Sequence, residues 1–258
     1  MPELPDVEGF RRTLVSCARG RVIRRIDVYD EGVLHGVSRQ RLRSELEGRR
    51  FTEPERHGKW LLAHTGGPTL LLHFGMTGRL VCCSPDDPVH PHDRVVFTLG
   101  RERQLRYRDQ RKLQGLWLAD PAGTERILSR QGPDAGKVGR ADLRAALAGR
   151  RGSLKAVLMD QSVLAGLGNL LVDEILWRSC LPPGRPAGDL SAADCDRLHT
   201  EMRRTLRAAV RAGCVPPRDS WLTGRRDDPA PTCPRCGSPL RRARIAGRGT
   251  VWCPRCQP

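Results

Sequence analysis

At 258 residues, the chain is long enough for two domains of ordinary size and a small third module, and its 38% of hydrophobic residues can fill compact cores. Its 45 lysines and arginines exceed its 29 acidic residues, and the net charge of +16 favours a polyanionic partner, most often nucleic acid. A genome of high GC content also raises the number of arginines, and this is the alternative source of part of the charge. The sequence contains no run of about 18 apolar residues, so no transmembrane helix is predicted. The opening MPELPDVEGF lacks the apolar segment of a secretory signal. We therefore expect a soluble cytoplasmic protein.

The first half of the sequence predicts one helix followed by a β-rich region. The helix runs from about Val7 to Ala18, with Asp6 as its N-cap. Short strand-like runs separated by glycine, proline and charged turns follow, at spacings typical of a sandwich or barrel. These runs are residues 21–29, 60–65, 69–74, 79–82, 94–98, 104–107 and 115–118. The segment 121–138 is rich in glycine and proline and is the predicted domain linker.

The second half predicts helices, because its apolar residues recur at helical spacing. The predicted helices are residues 141–148, 153–164, 170–179 and 192–212. Ser153 is the expected N-cap of the second of them. Residues 213–232 are rich in proline, arginine, aspartate and glycine, and they predict an extended connector.

Two Cys-x2-Cys pairs near the end of the chain predict a zinc site, since four thiolates complete a tetrahedron. The four cysteines are Cys233, Cys236, Cys253 and Cys256. The segment between the pairs predicts a hairpin with glycines at its tip. No histidine or carboxylate suggests an open catalytic position, so we expect one structural zinc ion whose module presents Arg248 and other arginines to DNA. The remaining six cysteines show no framework spacing, and cysteines in a cytosolic chain favour metal binding over disulfides.

Residues 153–178 predict two helices joined by a glycine-rich turn at 165–169. Backbone amides at such a turn, beside a helix N-terminus, can bind phosphate. Lys155 and Asn169 are then candidates for side-chain contacts to the same DNA strand. On these residues alone, an ordinary helical hairpin is the simpler interpretation.

Four motifs, in order along the chain, resemble those of the formamidopyrimidine-DNA glycosylase and endonuclease VIII family. They are MPELPDVE at the start, HFGMTGRL at 73–80, the MDQ, GLGN and DE elements of the helical pair, and the terminal GRGT and CPRCQ. The resemblance implies an α+β fold with an N-terminal catalytic β-sandwich domain at 1–120, the linker at 121–138, a helix–two-turn–helix DNA-binding domain at 139–224 and a zinc finger at 225–258. It also implies a bacterial, nucleoid-associated monomer that acts on double-stranded DNA containing damaged bases or abasic sites.

The resemblance makes the N-terminus the candidate catalytic centre. Removal of Met1 leaves Pro2 as a secondary amine, and a free α-amino group titrates near 7.7–8.0, against about 10.4 for lysine. The neutral amine can attack C1′ of the nucleotide sugar as the damaged base leaves. The resulting iminium ion permits elimination of both flanking phosphates. The resemblance further implies that Glu3 is a general acid/base, that Glu174 is a second carboxylate of the site, and that Lys59 binds phosphate beside the lesion.

Two more segments resemble the loops that fill the gap left when a nucleotide is flipped out of the duplex. Met76 corresponds to the family's wedge methionine, and Arg111 to the arginine that faces the orphaned base. Leu113 stands where many relatives have phenylalanine, so we expect a smaller wedge and leave the opposite-base preference open. The short, proline-rich loop at 213–221 lacks the pattern of the family's lid over 8-oxoguanine, so we leave the preferred lesion open.

Three functional interpretations follow from these features. The leading one is a glycosylase that removes oxidised or ring-opened bases and cleaves the strand by β,δ-elimination. The second is an endonuclease VIII-type enzyme specific for oxidised pyrimidines. The third is a non-catalytic, zinc-containing protein that binds DNA lesions. Pro2 and Glu3 favour an enzyme, because a protein that only binds DNA needs neither residue.

Overall fold

The computed structural model describes all residues from Met1 to Pro258. The chain forms two compact units, each with its own buried core. The N-terminal unit contains Met1–Pro2 and Asp6–Arg130, and the C-terminal unit contains Glu3–Pro5 and Gln131–Pro258. No helix combines the length and the apolarity needed to cross a membrane.

Two β-sheets form the body of the N-terminal unit. The first has the strand order β1-β7-β8-β6 and the second the order β2-β9-β5-β4-β3; all neighbours are antiparallel except β2 and β9. Buried side chains from both sheets, including Leu72 and Phe97, share one core. This confirms the predicted sandwich. The strands are β1 Ile23–Val28, β2 Leu34–His35, β3 Glu55–His57, β4 Trp60–Ala63, β5 Thr69–His73, β6 Arg79–Cys83, β7 Asp93–Leu99, β8 Arg103–Arg108 and β9 Leu116–Ala119.

The helices in the first half of the chain depart from the prediction. They are α1 Leu4–Ala18, α2 Arg39–Leu46 and α3 Pro121–Leu128. Because α1 begins at Leu4, Asp6 lies in its first turn and is not the N-cap; there its charge stabilises the positive end of the helix. The predicted linker contains α3, which Asp120 caps by accepting a hydrogen bond from the Gly123 amide.

The C-terminal unit contains four α-helices and one hairpin, as predicted. They are α4 Arg140–Leu147, α5 Leu154–Met159, α6 Asn169–Arg178, α7 Ala192–Ala212, β10 Arg241–Ile245 and β11 Arg248–Trp252. Helix α7 has its predicted bounds, with a capping box at Ser191 and a left-handed Gly213 at its end. Ser153 caps α5 as predicted, but α5 ends at Met159 instead of residue 164. Beyond Met159 the Asp160 side chain accepts a hydrogen bond from the Ser162 amide, which leaves the helical hydrogen-bond pattern.

One cysteine pair contradicts the expectation that no disulfide would form. Cys17 in α1 and Cys82 in β6 are joined by a disulfide, with their Cα atoms 5.9 Å apart. The two residues are 65 positions apart, and such a separation carries no local signal. Only the packing of α1 against the first sheet brings them together.

Candidate active site and nucleic-acid interface

The carboxylate of Glu3 is held at the N-terminus of helix α6. Glu3 is 1% exposed. One of its oxygens accepts hydrogen bonds from the amides of Gly168 (3.0 Å) and Leu171 (3.1 Å), and the other accepts one from the amide of Leu170 (2.8 Å). These amides lack intrahelical acceptors and lie at the positive end of the helix dipole, so they stabilise the ionised carboxylate.

The same cradle fixes the course of the chain beside Glu3. The amide of Leu4 donates to the carbonyl of Gly166 at 3.0 Å. Pro2 directly precedes Glu3 in the sequence and is half-buried. Residues 3 and 4, which directly follow Pro2 in the chain, are therefore anchored.

Two amides of the glycine-rich turn bind groups inside the protein. Its Gly166 amide donates to the Gln161 side chain at 3.0 Å, and its Gly168 amide is among those that bind Glu3. The side-chain oxygen of Asn169 is buried and accepts no hydrogen bond within the protein. The Glu3 carboxylate thus already takes up one of the turn amides that the sequence offered to phosphate.

The other acidic site residue, Glu174, is buried in the same helix. Its carboxylate accepts hydrogen bonds from Arg178 (2.8 Å) and from the Thr223 amide (3.1 Å). Burial raises the pKa of Glu174, and the positive charge of Arg178 opposes this effect. Arg178 also lies over the ring of Trp221, 4.7 Å from its centroid. The proline-rich loop at 213–221 is therefore anchored at its end to the helix that carries Glu174.

Lys155 has a different place from the one predicted. Its side chain is fully buried, with Nζ 2.6 Å from the Asp173 carboxylate and 3.2 Å from the Gly249 carbonyl. Asp173 also accepts hydrogen bonds from Arg226 and from the Val251 amide. Burial lowers the pKa of Lys155, and the Asp173 charge opposes this. Lys155 thus joins α5, α6 and the zinc-finger hairpin in the interior of the protein. The prediction had instead placed it in contact with a DNA strand.

Lys59 lies in the two-residue turn that joins β3 to β4. Its charge adds to the effect of burial on His73, and together they lower the pKa of His73 to about 4. The ring nitrogen Nδ1 of His73 accepts a hydrogen bond from the Gly75 amide at 3.2 Å. A neutral His73 therefore supports the loop that begins at Gly75.

The two predicted wedge segments meet within the N-terminal unit. Met76 and Leu113 are both exposed, by 36% and 48%, and the Arg111 guanidinium lies 3.1 Å from the Met76 sulfur. The Thr77 hydroxyl donates to Asp109 at 2.5 Å and accepts from the Arg111 amide at 3.0 Å. These bonds tie the two loops together, so Met76, Arg111 and Leu113 form one projecting group.

The four C-terminal cysteines form the predicted cluster. Their sulfur atoms all lie within 4.8 Å of one another, with Cys233 and Cys256 at 3.8 Å and Cys236 and Cys253 at 3.5 Å. A tetrahedral zinc site with bonds of about 2.3 Å requires sulfurs about 3.8 Å apart. The cluster therefore fits one structural zinc ion, and the Trp177 indole N–H supports it by donating to the Cys233 sulfur at 3.3 Å.

Arg248 is the first residue of β11 and is exposed, next to the left-handed turn residues Ala246 and Gly247. The following carbonyl, that of Gly249, accepts hydrogen bonds from Lys155 and from Arg226 (2.5 Å). The base of the hairpin tip is therefore held by two cations, while the Arg248 side chain stays in solvent.

Three known protein domains match successive parts of the chain. Residues 1–116 match the formamidopyrimidine-DNA glycosylase N-terminal domain, 131–217 its H2TH domain, and 231–258 the zinc finger found in FPG and IleRS. The formamidopyrimidine-DNA glycosylase of Symbiobacterium thermophilum is 39% identical over 273 residues, which cover 100% of this chain and 90% of that protein. The chain belongs to the formamidopyrimidine-DNA glycosylase family. Members of this family are DNA N-glycosylases with AP-lyase activity, and they carry a zinc finger.

Solved structures of formamidopyrimidine-DNA glycosylases share the fold. The Lactococcus lactis enzyme, non-covalently bound to DNA with an AP site, superposes with a TM-score of 0.91 at 28% identity and covers 99% of both chains. The same enzyme in complex with Fapy-dG DNA has a TM-score of 0.89 at 27% identity, with the same coverage.

Several residues that contact the candidate site residues or the zinc cysteines were not singled out from the sequence. Asp173 was noted only as part of an acidic pair, and Arg226, Trp177 and Thr223 were not considered. Trp177 lies eight residues beyond Asn169 on the same helix, and helical periodicity alone makes it core filler. Trp177, Thr223 and Arg226 have partners 49 to 56 residues away, and Asp173 bonds to Lys155, 18 residues before it, and to the Val251 amide, 78 residues after it. The sequence therefore held no local signal for these contacts.

Proposed function

We propose that this glycosylase removes oxidised or ring-opened bases from double-stranded DNA and then cleaves the abasic strand by β,δ-elimination through an iminium on Pro2. The observation that carries the proposal is the cradle of three amides around Glu3, next in the chain to Pro2. Removal of Met1 would leave a secondary amine directly beside this buried carboxylate, and a protein that only binds DNA needs no such amine.

The chemistry begins with the neutral Pro2 amine. Its nitrogen lone pair forms a bond to C1′ of the damaged nucleotide. The glycosidic bond between C1′ and the base nitrogen breaks, and its electrons leave with the base. Loss of the amine proton and opening of the sugar ring produce an iminium cation. Glu3 carries a fixed negative charge beside this cation and, as general base, takes a proton during the reaction.

The iminium acts as an electron sink for the two strand cuts. Removal of the acidified C2′ proton expels the 3′-phosphate, and a second elimination expels the 5′-phosphate. Glu174 is the second carboxylate of the proposed site. Its carboxylate is held by Arg178 and by the Thr223 amide, and we assign it to proton exchange with a leaving group.

DNA binding is assigned to groups on both units. Met76 fills the gap left by the flipped nucleotide, and Arg111, held against it, faces the orphaned base. Arg248, Asn169 and Lys59 contact the phosphate backbone, which the net charge of +16 attracts. We propose that a monomer acts in this way on the DNA of the bacterial nucleoid.

The main proposal and its alternative differ in the class of damaged base that the enzyme removes. Solved relatives are described in complexes with Fapy-dG DNA and with carbocyclic 8-oxo-G DNA, and ring-opened purines are the first substrates to test. The endonuclease VIII-type alternative, specificity for oxidised pyrimidines, is favoured by the loop at 213–221, whose end is anchored by Trp221 and is thereby restrained from acting as a mobile lid.

The test is borohydride trapping on duplexes that carry 8-oxoguanine, a formamidopyrimidine, an oxidised pyrimidine or an abasic site. Intact mass first verifies that Met1 is absent. We expect a covalent adduct that maps to Pro2, with trapping rates that rank the lesions. Pro2→Gly is expected to lose most lyase activity while it retains duplex binding. Binding of lesion DNA with no adduct on any duplex would instead leave a non-catalytic lesion-binding protein.

A further inference from the structure

The disulfide between Cys17 and Cys82 connects two elements that lead to the proposed catalytic and wedge residues. Cys17 is the last residue but one of α1, the helix that begins two residues after Pro2. Cys82 lies in β6, the strand that begins three residues after Met76. The bond therefore closes a loop of the chain that includes both Lys59 and Met76.

The two cysteines differ in their access to solvent. Cys17 is 0% exposed and belongs to the core shared by the two sheets, whereas Cys82 is half-buried and only packs against that core. A small oxidant in solution therefore reaches the Cys82 sulfur first, and Cys17 is already in place to react with it.

We propose that Cys17 and Cys82 are a redox-responsive dithiol, which a hydroperoxide oxidises to the disulfide, and that the disulfide stabilises the N-terminal unit without taking part in catalysis. Disulfides inside cells, where thiols are otherwise kept reduced, are usually transient and either catalytic or redox-sensing. The inference rests on the proposed function only for its biological sense, since hydroperoxides belong to the same class of oxidants that damages bases.

The chemistry balances with the hydroperoxide as the only oxidant. The Cys82 thiolate attacks the peroxide oxygen, the O–O bond breaks, and Cys82 becomes a sulfenic acid while the peroxide leaves as an alcohol or water. The Cys17 sulfur then attacks the Cys82 sulfur and the S–O bond breaks, which releases water. Two thiols and one hydroperoxide thus give one disulfide, one alcohol or water, and one further water.

Cys83 provides the matched control. It is the next residue of β6, and successive side chains of a strand point to opposite faces of the sheet. In keeping with this, Cys82 packs against the core and Cys83 does not. Burial also raises the pKa of the Cys83 thiol, so it forms the reactive thiolate less readily. The geometry therefore selects Cys82 as the partner of Cys17.

The first experiment uses the zinc-loaded full chain, reduced and then treated with about one equivalent of tert-butyl hydroperoxide. Free thiols are alkylated, and peptides are mapped without reduction while zinc release is followed. We expect a Cys17–Cys82 cross-link, with the zinc cysteines protected by their metal. A cross-link through Cys83, or no cross-link before zinc is lost, would overturn the proposal.

The second experiment measures thermal unfolding of the oxidised and the reduced protein. Because the bond closes a long loop in the unfolded chain, oxidation is expected to raise the Tm by roughly 5 °C or more. Cys83→Ser should keep this rise and Cys82→Ser should lose it. Reduced wild type has no altered side chain, so it distinguishes loss of the bond from poor folding of a variant. An equal Tm in the two redox states would exclude the stabilising role, whatever the glycosylase assay shows.

Discussion

Glu3 occupies the space that a side chain at Gly168 would need. A Cβ built on Gly168 would lie 2.3 Å from the Cδ atom of Glu3, well inside any allowed contact. The Gly168 amide meanwhile donates a hydrogen bond to the same carboxylate at 3.0 Å. Because the Glu3 side chain packs directly against Gly168 at the start of α6, the proposed catalytic centre requires glycine at position 168.

Gly168→Ala should therefore expel the Glu3 carboxylate from its cradle. We expect base excision and lyase rates to fall by about tenfold or more, as they do when a catalytic group loses its position, while the protein stays folded and still binds abasic duplex. Single-turnover assays and circular dichroism measure the two effects. Gly184→Ala is the control, since a Cβ there meets no atom within 4 Å; equal activity of the two variants would contradict the role of the cradle.

Asp173→Asn should destabilise the protein far more than loss of a surface charge does. The change leaves the fully buried Lys155 with a neutral partner, and breaking a buried pair costs about 3–5 kcal/mol. Urea unfolding of the zinc-loaded protein measures this cost. Asp196→Asn breaks the exposed pair with Arg144 and should cost less than about 1 kcal/mol. Similar losses in the two variants would show that the interior pair is not needed for stability.

Met76→Ala should slow excision from duplex DNA. The side chain is expected to fill the gap of a flipped nucleotide and so to offset an unstacking cost of a few kcal/mol. We expect a decrease of about tenfold on duplex lesions and a smaller one on a single-stranded abasic oligonucleotide, which needs no wedge. Val89→Ala removes a side chain of the N-terminal unit that is 50% exposed, and it should leave both rates unchanged. Equal losses on the two substrates would argue against a wedge.

His73 should make the N-terminal unit sensitive to acid. Its pKa in the folded protein is lowered to about 4 from the usual 6.5, so the unfolded chain binds a proton over this interval and the folded chain does not. The contribution of neutral His73 to the free energy of unfolding is thus fully present above pH 6.5. It falls by up to about 3 kcal/mol as the pH drops from 6.5 to about 4. Protonation at Nδ1 would also break the bond from the Gly75 amide.

Unfolding midpoints between pH 7 and pH 4 test this for wild type and His73→Gln. The variant should lose part of the decline in stability with acid. An unchanged slope in His73→Gln would assign the acid sensitivity to other groups.

Zinc removal should change the fluorescence of Trp177, because its indole N–H donates to the Cys233 sulfur at 3.3 Å. A chelator is expected to shift the emission, to unfold the hairpin and to weaken DNA binding. Trp177→Phe should abolish the fluorescence change while zinc release, followed by a metal dye, remains. Arg248→Ala should weaken DNA binding with zinc still bound. If zinc left with no effect on binding, the hairpin would have no part in the DNA interface.

Local patterns in the sequence were enough to predict much of this architecture. The Cys-x2-Cys spacing predicted the zinc cluster because the ligands lie on two short turns, and apolar periodicity predicted α7 at its observed bounds. The four family motifs predicted the sandwich, the helical domain and the terminal hairpin in their order. Helix α3 escaped prediction because it is only eight residues long and buries no residue. Helix α2 was missed although it buries two leucines at the same spacing as the predicted α4.

The sequence by itself thus determined the family, the order of elements and the zinc ligands, all of which depend on residues close together in the chain. Only the tertiary structure decided that Glu3 fills the anion site at α6, that Lys155 is buried against Asp173, and that Cys17 meets Cys82. The physical reason is the distance along the chain. A charge or thiol carries no local mark of its partner, and burial, which determines whether Lys155 pairs internally or contacts DNA, is a property of the packed fold.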